Sequence, residues 1–136
     1  MGRILCLDVG DKRIGIALSD PMRLIASPHS VYTRVGYTPD CKHILNLYQQ
    51  NKCDLVVSGL PKNMDGSIGF QAEKVMAFCE KLKEAGMEVV FQDERLSTVA
   101  AHDALIEGGM RRDGRKGTVD KVAAAVILQQ YLDKNR

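Results

Sequence analysis

The sequence contains no tryptophan, and aromatic residues make up only 5% of its 136 residues. So few rings argue against the stacking of bases on side chains as the main way of binding a nucleic acid. No apolar run reaches the length of about 18 residues that a membrane-spanning helix needs, so no membrane partner is expected. The chain passes directly from Met1-Gly2-Arg3 into an apolar strand, and no signal peptide is expected.

Cysteine is sparse, and its pattern does not suit a zinc site. The four cysteines form no CxxC pair, and the three histidines are scattered along the chain. Cys6 lies in an apolar strand and Cys79 on an apolar helix stripe, a placement typical of buried free thiols in a reducing compartment. The expected location is therefore the cytoplasm.

Charge of one sign is not in excess either. The net charge of +2 is too small to argue for a nucleic-acid partner by itself. With 45% hydrophobic and 26% charged residues, the composition is that of an ordinary globular protein. The length suits a single domain over residues 1–136, long enough to bury about two-thirds of the unfolded surface.

Short apolar strands alternate with amphipathic helices along the chain. Ile4–Leu7 and Ile14–Leu18 flank a short turn at Gly10, which predicts a β-hairpin with a buried first strand. The order predicts a three-layer α/β fold with antiparallel strands joined to parallel βαβ units. Further strands are predicted at Ser27–Thr33, Asp54–Ser58 and Met87–Gln92, and helices from a capping Thr38, from about Gly69 to Ala85, from Ser97 or Thr98 to Gly108-Gly109, and from near Thr118 to about Lys134.

Acidic residues stand at the ends of three of these elements. Asp8 ends the first strand, Asp93 and Glu94 end the last strand, and Asp120 lies in the first turn of the final helix. Taken singly, each has an ordinary interpretation. Asp120 suits the dipole at a helix start, Asp93 and Glu94 suit a turn, and Asp8 could cap the hairpin turn or pair with a neighbouring cation.

Taken together, the acids indicate a metal site. Ligands of open α/β sheets bind beyond the carboxyl ends of the strands, which is where Asp8 and Asp93-Glu94 lie. Converging carboxylates repel one another unless a cation holds them, and hard oxygen ligands without His or Cys suit Mg²⁺ or Mn²⁺.

Four stretches of the sequence resemble the YqgF family of pre-16S rRNA nucleases, also described as Holliday-junction-resolvase-like. They are LDVGDKRIGIALSD, VSGLPKNMDGSIG, DERLST and DKVAAAVILQQYL, and the resemblance covers essentially the whole chain. It implies a ribonuclease H-like fold: a five-stranded mixed sheet with helices on both faces. It also implies an acidic site of Asp8, the Asp93-Glu94 pair and Asp120, with Asp8, Glu94 and Asp120 as catalytic metal ligands and Asp93 as a structural residue.

The expected activity is that of a hydrolase acting on phosphodiester bonds. A pair of Mg²⁺ or Mn²⁺ ions would cleave structured nucleic acid, with 5′-end processing of pre-16S rRNA in ribosome biogenesis as the expected reaction. A Holliday-junction-resolvase-like DNA endonuclease and a non-cutting nucleic-acid-binding factor of the same fold are the alternatives. An ATPase of the actin and sugar-kinase type would need two lobes and a second Asp-x-Gly, which this chain lacks.

Cations near the acids are the candidate substrate-binding residues. Lys12 and Arg13 lie in the hairpin beside Asp8, and Arg95 follows Glu94. A glycine-flanked segment, expected to be a loop that orders on a polyanion, contributes the rest: Arg111, Arg112, Arg115 and Lys116. A solvated connector is the alternative interpretation of that segment. The partner would be an rRNA precursor or branched DNA, and the chain a monomer or, for junction cutting, a two-fold homodimer.

Overall fold

One five-stranded sheet forms the centre of the molecule. The computed structural model describes residues 2–62, 65–93 and 112–135, with the backbone alone for residues 112–120. The strands are β1 (Arg3–Val9), β2 (Arg13–Ser19), β3 (Ala26–Thr33), β4 (Cys53–Leu60) and β5 (Val89–Asp93). The helices are α1 (Tyr37–Gln50), α2 (Phe70–Glu84) and α3 (Arg112–Lys134).

The sheet is mixed, in the spatial order β3-β2-β1-β4-β5. β1 pairs with β2 and β2 with β3 in antiparallel fashion, whereas β1-β4 and β4-β5 are parallel. The predicted fold class, an antiparallel hairpin plus parallel βαβ units, is therefore confirmed. No helix in the described ranges is long and apolar enough to cross a bilayer.

Apolar side chains cover both faces of the central strands, because helices pack on each face. Leu5, Leu7 and the largest buried side chain, Phe78, belong to the cluster under α1 and α2. Ile4 and Cys6 belong to a second cluster with Ile127 and Leu128 of α3. Successive residues of β1 thus enter opposite cores, which explains its continuous apolar run.

The turn between β1 and β2 requires glycine at position 10. The Gly10 N–H donates to the carbonyl of Arg13 at 2.8 Å. A Cβ atom at position 10 would lie 2.8 Å from that same oxygen, closer than real Cβ atoms approach. The predicted hairpin is therefore present, and any larger residue at position 10 would open its turn.

The start of α1 differs from the predicted one. The helix begins at Tyr37, so Thr38 lies inside it, and the predicted capping role of its hydroxyl is wrong. The carboxylate of Asp40 instead accepts hydrogen bonds from the N–H groups of Val35 and Gly36, at 3.0 and 3.4 Å. A side chain one turn into the helix satisfies the backbone donors that precede it.

The start of α3 also differs. The backbone is helical from Arg112, although the glycine pattern predicted a loop up to about Thr118. A glycine inside a helix costs only about 1 kcal/mol relative to alanine, so Gly114 and Gly117 do not prevent a helix there. The predicted loop is therefore wrong over residues 112–117. Arg111 and the helix predicted from Ser97 or Thr98 to Gly108-Gly109 lie outside the described residues.

A buried ion pair connects the end of β3 to the turn that follows Asp8. Asp40 is 0% exposed, and its carboxylate accepts a hydrogen bond of 3.0 Å from Nε of Arg34. Nη1 of the same guanidinium donates to the carbonyl of Gly10 at 2.8 Å, and the guanidinium carbon lies 4.9 Å from the centre of the Phe78 ring. Asp40 and Arg34, hereafter the Asp40–Arg34 clamp, thereby hold the hairpin turn in place.

The clamp makes stability depend on pH at the acid end. Burial by itself raises the pKa of Asp40, but hydrogen bonds from the Val35 N–H and the Arg34 guanidinium outweigh it and leave that pKa below its usual value. A carboxyl group with a lowered folded-state pKa stabilises the fold above its unfolded pKa. This contribution is lost as the pH falls from about 4 through the lowered folded-state pKa.

We expect Asp40→Asn to lower the free energy of unfolding at pH 7 by about 3 kcal/mol, because it leaves a half-buried guanidinium without its counter-charge. Below about pH 4 the difference from the parent protein should shrink, because the unfolded parent chain then binds a proton at Asp40 before the folded chain, with its lowered pKa, does. Urea unfolding at pH 7 and pH 3 measures both effects. Asp11→Asn, which removes an exposed partner of Lys74, is the matched control and should change stability by less than about 0.5 kcal/mol. Equal losses in the two variants would contradict the clamp.

Candidate active site

Asp8 lies near the carboxyl end of the central strand, on the face of the sheet that α3 covers. It is half-buried and follows Ile4 and Cys6 at intervals of two residues, and both of these pack in the cluster under α3. Leu7 and Val9 pack in the opposite cluster. The alternation of β1 therefore directs a single carboxylate into the layer between sheet and α3.

Glycines flank Asp8 on both neighbouring strands. Gly15 of β2 is its direct partner in the antiparallel pair. On the other side Leu7 is level with Ser58 of β4, so Gly59 is the next residue along and stands beside Asp8. Both glycines are buried, and neither adds a side chain to this face. Asp8 thus stands above a floor of bare backbone that a ligand can approach closely.

Asp93 lies on the other face of the sheet. It is the last residue of β5 and is level with Leu60, which packs in the cluster under α1 and α2. Val89 and Phe91, two and four residues earlier, belong to or pack against that same cluster. Asp93 and Asp8 are therefore separated by the sheet. Glu94, the predicted ligand of the pair, lies outside the described residues.

Asp120 is placed by the backbone of α3, one helical turn before Ala124, which packs beside Cys6. Gln129 fixes the other end of the helix: its Oε1 accepts from the Ala26 N–H at 2.9 Å, at the sheet edge where β1 begins. Nine residues of helix span about 13.5 Å, and β1 takes about 13 Å from Ile4 to Asp8. Position 120 thus lies about as far from Gln129 along the helix as Asp8 lies from Ile4 along β1.

Among the residues whose side chains are described, no three His, Cys, Asp or Glu side chains are placed to hold a metal ion. Of the three predicted metal ligands, only Asp8 has a described side chain.

The four cysteines are free thiols, with Cys6 and Cys79 buried as predicted. Burial raises the pKa of the Cys79 thiol to about 11, so it is uncharged at neutral pH.

The predicted cations fall into two groups. Lys12 and Arg13 belong to the hairpin after Asp8, and the N–H of Arg34 donates to the carbonyl of Lys12 at 2.9 Å, which fixes that backbone. Arg112, Arg115 and Lys116 belong to the first turns of α3, where the structure describes the backbone alone. Arg95 and Arg111 lie outside the described residues.

Two features of this end of the molecule have no counterpart among the residues predicted from the sequence. Phe70, at the start of α2, is 74% exposed and its ring centre lies 4.5 Å from Nζ of Lys74. Gln92 is a polar residue in the otherwise apolar β5, and its buried Oε1 has no hydrogen-bond partner among the described residues. In the sequence, Gln92 could be noticed as a polar residue within the strand VVFQD. Only the strand pairing shows which residues lie beside it.

The order and direction of the strands, with helices on both faces, define a ribonuclease H-like fold of the resolvase type. The structure is similar to that of T. thermophilus RuvC in complex with a Holliday junction substrate, with a TM-score of 0.62 and 14% sequence identity. The likeness covers 99% of this chain and 96% of that one. At this identity it shows the fold.

The sequence identifies the family. Residues 2–134 match the model of the RuvX family, described as Holliday junction resolvase, and the chain belongs to that family. A Clostridium tetani protein named "Putative pre-16S rRNA nuclease" is 52% identical over 132 residues, 96% of each chain. A Clostridioides difficile protein of the same name is 50% identical over 133 residues, 97% of this chain and 94% of that one. The family inferred from the four motifs is confirmed.

The opposite placement of Asp8 and Asp93 leads to a test of the predicted metal site. If Asp8 holds a divalent cation, millimolar Mn²⁺ should raise the melting temperature of the parent protein. At a Mn²⁺ concentration one hundred times the dissociation constant, binding adds about 2.7 kcal/mol to the free energy of unfolding. Asp8→Asn should lose most of this shift. Asp93→Asn, the matched control on the other face, should keep it. If the melting-temperature shift with Mn²⁺ remains in Asp8→Asn and disappears in Asp93→Asn, the cation binds on the α1 and α2 face, and the predicted site is wrong.

Proposed function

We propose that this protein is a divalent-metal-dependent nuclease that hydrolyses phosphodiester bonds in structured nucleic acid, and that its reaction is 5′-end processing of pre-16S rRNA in the cytoplasm. The observation that carries the proposal is the placement of Asp8. A single carboxylate stands at the carboxyl end of the central strand, between two glycines and under the final helix, in a chain of the RuvX family.

The choice of rRNA over branched DNA rests on degrees of similarity. Relatives that share about half of their residues with this chain are named for pre-16S rRNA. The similar structure bound to a Holliday junction shares only 14%. Cleavage of a junction is the second candidate, and the description of the family model favours it. A junction offers two scissile strands and would suit a homodimer, whereas trimming of one RNA end needs only a monomer.

The described residues fit a divalent cation. Carboxylates without histidine or thiolate ligands suit Mg²⁺ or Mn²⁺. Gly15 and Gly59 add no side chain on either side of Asp8, and the buried Oε1 of Gln92 on the same face lacks a partner among the described residues. Asp8, Glu94 and Asp120 would hold the metal. When bound, Mg²⁺ or Mn²⁺ supplies Lewis-acid stabilisation of the phosphoryl oxygens and lowers the pKa of a coordinated water.

Glu94 is preferred over Asp93 because of the alternation of β5. Asp93 lies on the α1 and α2 face, opposite to Asp8, and successive residues of an extended strand point to opposite faces. An extension of β5 by one residue would bring position 94 to the face of Asp8. For Asp120 the supporting observation is the length of α3: position 120 lies about as far from Gln129 along the helix as Asp8 lies from Ile4 along β1.

The chain's own residues would bind and orient the substrate. Lys12 and Arg13 would contact the phosphates beside the scissile bond, because the hairpin turn that carries them follows Asp8 directly. The Asp40–Arg34 clamp would keep this turn in place by its hydrogen bond to Gly10. Arg95, Arg111 and the cations of the first turns of α3 (Arg112, Arg115 and Lys116) would neutralise phosphates farther along the strand.

A cleavage assay tests the proposed function. The substrates are a 16S rRNA precursor with its 5′ leader and a four-way DNA junction, each labelled at one end and incubated with Mn²⁺, with Mg²⁺ or with EDTA. We expect cleavage of the RNA precursor at a defined leader position with either metal and none with EDTA. Asp8→Asn, Glu94→Gln and Asp120→Asn should each reduce the rate at least about 100-fold, since each removes a ligand whose charge the transition state needs.

Asp11→Asn is the matched control for Asp8→Asn, because it makes the same substitution three residues along the hairpin at an exposed position. It should keep the parent rate. Cleavage of the junction alone would make the second candidate the function. Metal-dependent binding of RNA without cleavage of either substrate would instead identify a non-cutting binding factor.

The cations of α3 can be tested through the salt dependence of binding. The triple variant Arg112→Gln, Arg115→Gln, Lys116→Gln should bind RNA more weakly and reduce the slope of log K against log salt by up to about 2 to 3 units. The control removes three positive charges outside α3, one just before β4 and two in the last turn of α2: Lys52→Gln, Lys81→Gln, Lys83→Gln. Equal slopes for the two triple variants would show that the α3 cations act only through net charge.

A further inference from the structure

Gln92 shares a face of the sheet with Asp8. Along β5, Val90 packs against the cluster under α3 and Phe91 against the opposite cluster. Gln92, two residues after Val90, therefore lies on the same face of the sheet as Val90. Asp8 likewise lies on the same face as Cys6, which belongs to the cluster under α3. The two polar residues therefore lie on the same side of the sheet, at the end where the parallel strands finish.

Only a glycine separates the two residues across the sheet. Gln92 is level with Gly59 of β4, and Gly59 follows Ser58, the partner of Leu7. Asp8, Gly59 and Gln92 thus form a row over three neighbouring strands, about 9.6 Å from end to end at two strand spacings. No side chain rises from the middle of the row, so a small ion can be shared between a carboxylate at one end and a carboxamide at the other.

The Oε1 atom of Gln92 is a buried acceptor without a hydrogen-bond donor among the described residues. It is fully buried and receives no hydrogen bond from the part of the chain that the structure describes. Buried polar atoms without partners are few in native proteins, and each weakens the fold unless a water, an ion or a ligand satisfies it. A carboxamide oxygen is a hard ligand of the kind that Mg²⁺ and Mn²⁺ accept beside carboxylates.

We propose that Gln92 supplies a neutral oxygen to the divalent cation held by Asp8 and thereby sets the affinity of the site for that ion. This inference rests on the proposed function, because it needs a cation at Asp8. It adds a residue outside the predicted acidic set. A neutral ligand completes the coordination without adding to the repulsion among the carboxylates, so the site keeps its shape when the metal leaves.

The test is Mn²⁺ binding to the full chain, measured by titration calorimetry together with the metal-free melting temperature. Gln92→Met keeps the length of the side chain and removes the oxygen. It should weaken Mn²⁺ binding about tenfold and leave the metal-free melting temperature equal or higher, because an unpaired buried acceptor is gone. Gln92→Glu should bind Mn²⁺ more tightly and melt at a lower temperature without metal. Gln49→Met, at an exposed position in the last turn of α1, is the matched control and should change neither quantity.

Three results would overturn the assignment. An unchanged Mn²⁺ dissociation constant in Gln92→Met would show that the oxygen does not serve the cation. A metal-free melting temperature several degrees lower would make Gln92 a structural residue. Weaker binding of the RNA precursor in EDTA, with Mn²⁺ affinity intact, would make it a nucleic-acid contact.

Asp8→Asn separates failure of this inference from failure of the proposed function. If Asp8→Asn abolishes Mn²⁺ binding and Gln92→Met leaves it intact, only the role of Gln92 is wrong. If Asp8→Asn also leaves Mn²⁺ binding intact, the metal site of the proposed function is wrong as well.

Discussion

The alternation of side chains along β1 is the constraint on which the site depends. Because helices cover both faces of the sheet, the apolar residues of this strand enter two cores in alternation, and a shift of one residue would exchange them. The register that buries Leu5 and Leu7 under α1 and α2 also puts Asp8 under α3. The apolar residues therefore fix the face on which the carboxylate stands, and they do so with the free energy of the whole core.

The turn after Asp8 is held from the other side of the sheet. The Asp40–Arg34 clamp reaches from the start of α1 to the carbonyl of Gly10, two residues beyond Asp8. Since Asp40 is fully buried and the Arg34 guanidinium half-buried, a change in the hairpin turn would cost the guanidinium its hydrogen bond to Gly10. The position of the hairpin cations Lys12 and Arg13 is thus coupled to the folding of α1.

Local patterns predicted the parts of the structure that local physics determines. The apolar runs around Gly10 gave the hairpin, and the placement of acids at strand ends indicated an edge where a ligand would bind. The first residue of α1 could not be read from Thr38, because Asp40 holds the chain just before the helix and its carboxylate also binds Arg34, outside the helix. The start of α3 was predicted too late, because Gly114 and Gly117 indicated a loop where the backbone is helical. Gln92 becomes notable only through its pairing with Gly59, a contact across 33 residues that no local pattern contains.

A crystal structure of the protein grown with Mn²⁺ and measured at the manganese absorption edge tests the central claim most directly. We expect an anomalous peak about 2.1–2.5 Å from a carboxylate oxygen of Asp8, above Gly59 on the α3 face, with Glu94 and Asp120 as further ligands. A peak on the Asp93 side of the sheet would contradict the account. So would full Mn²⁺ occupancy elsewhere in the molecule while Asp8 binds only protein groups.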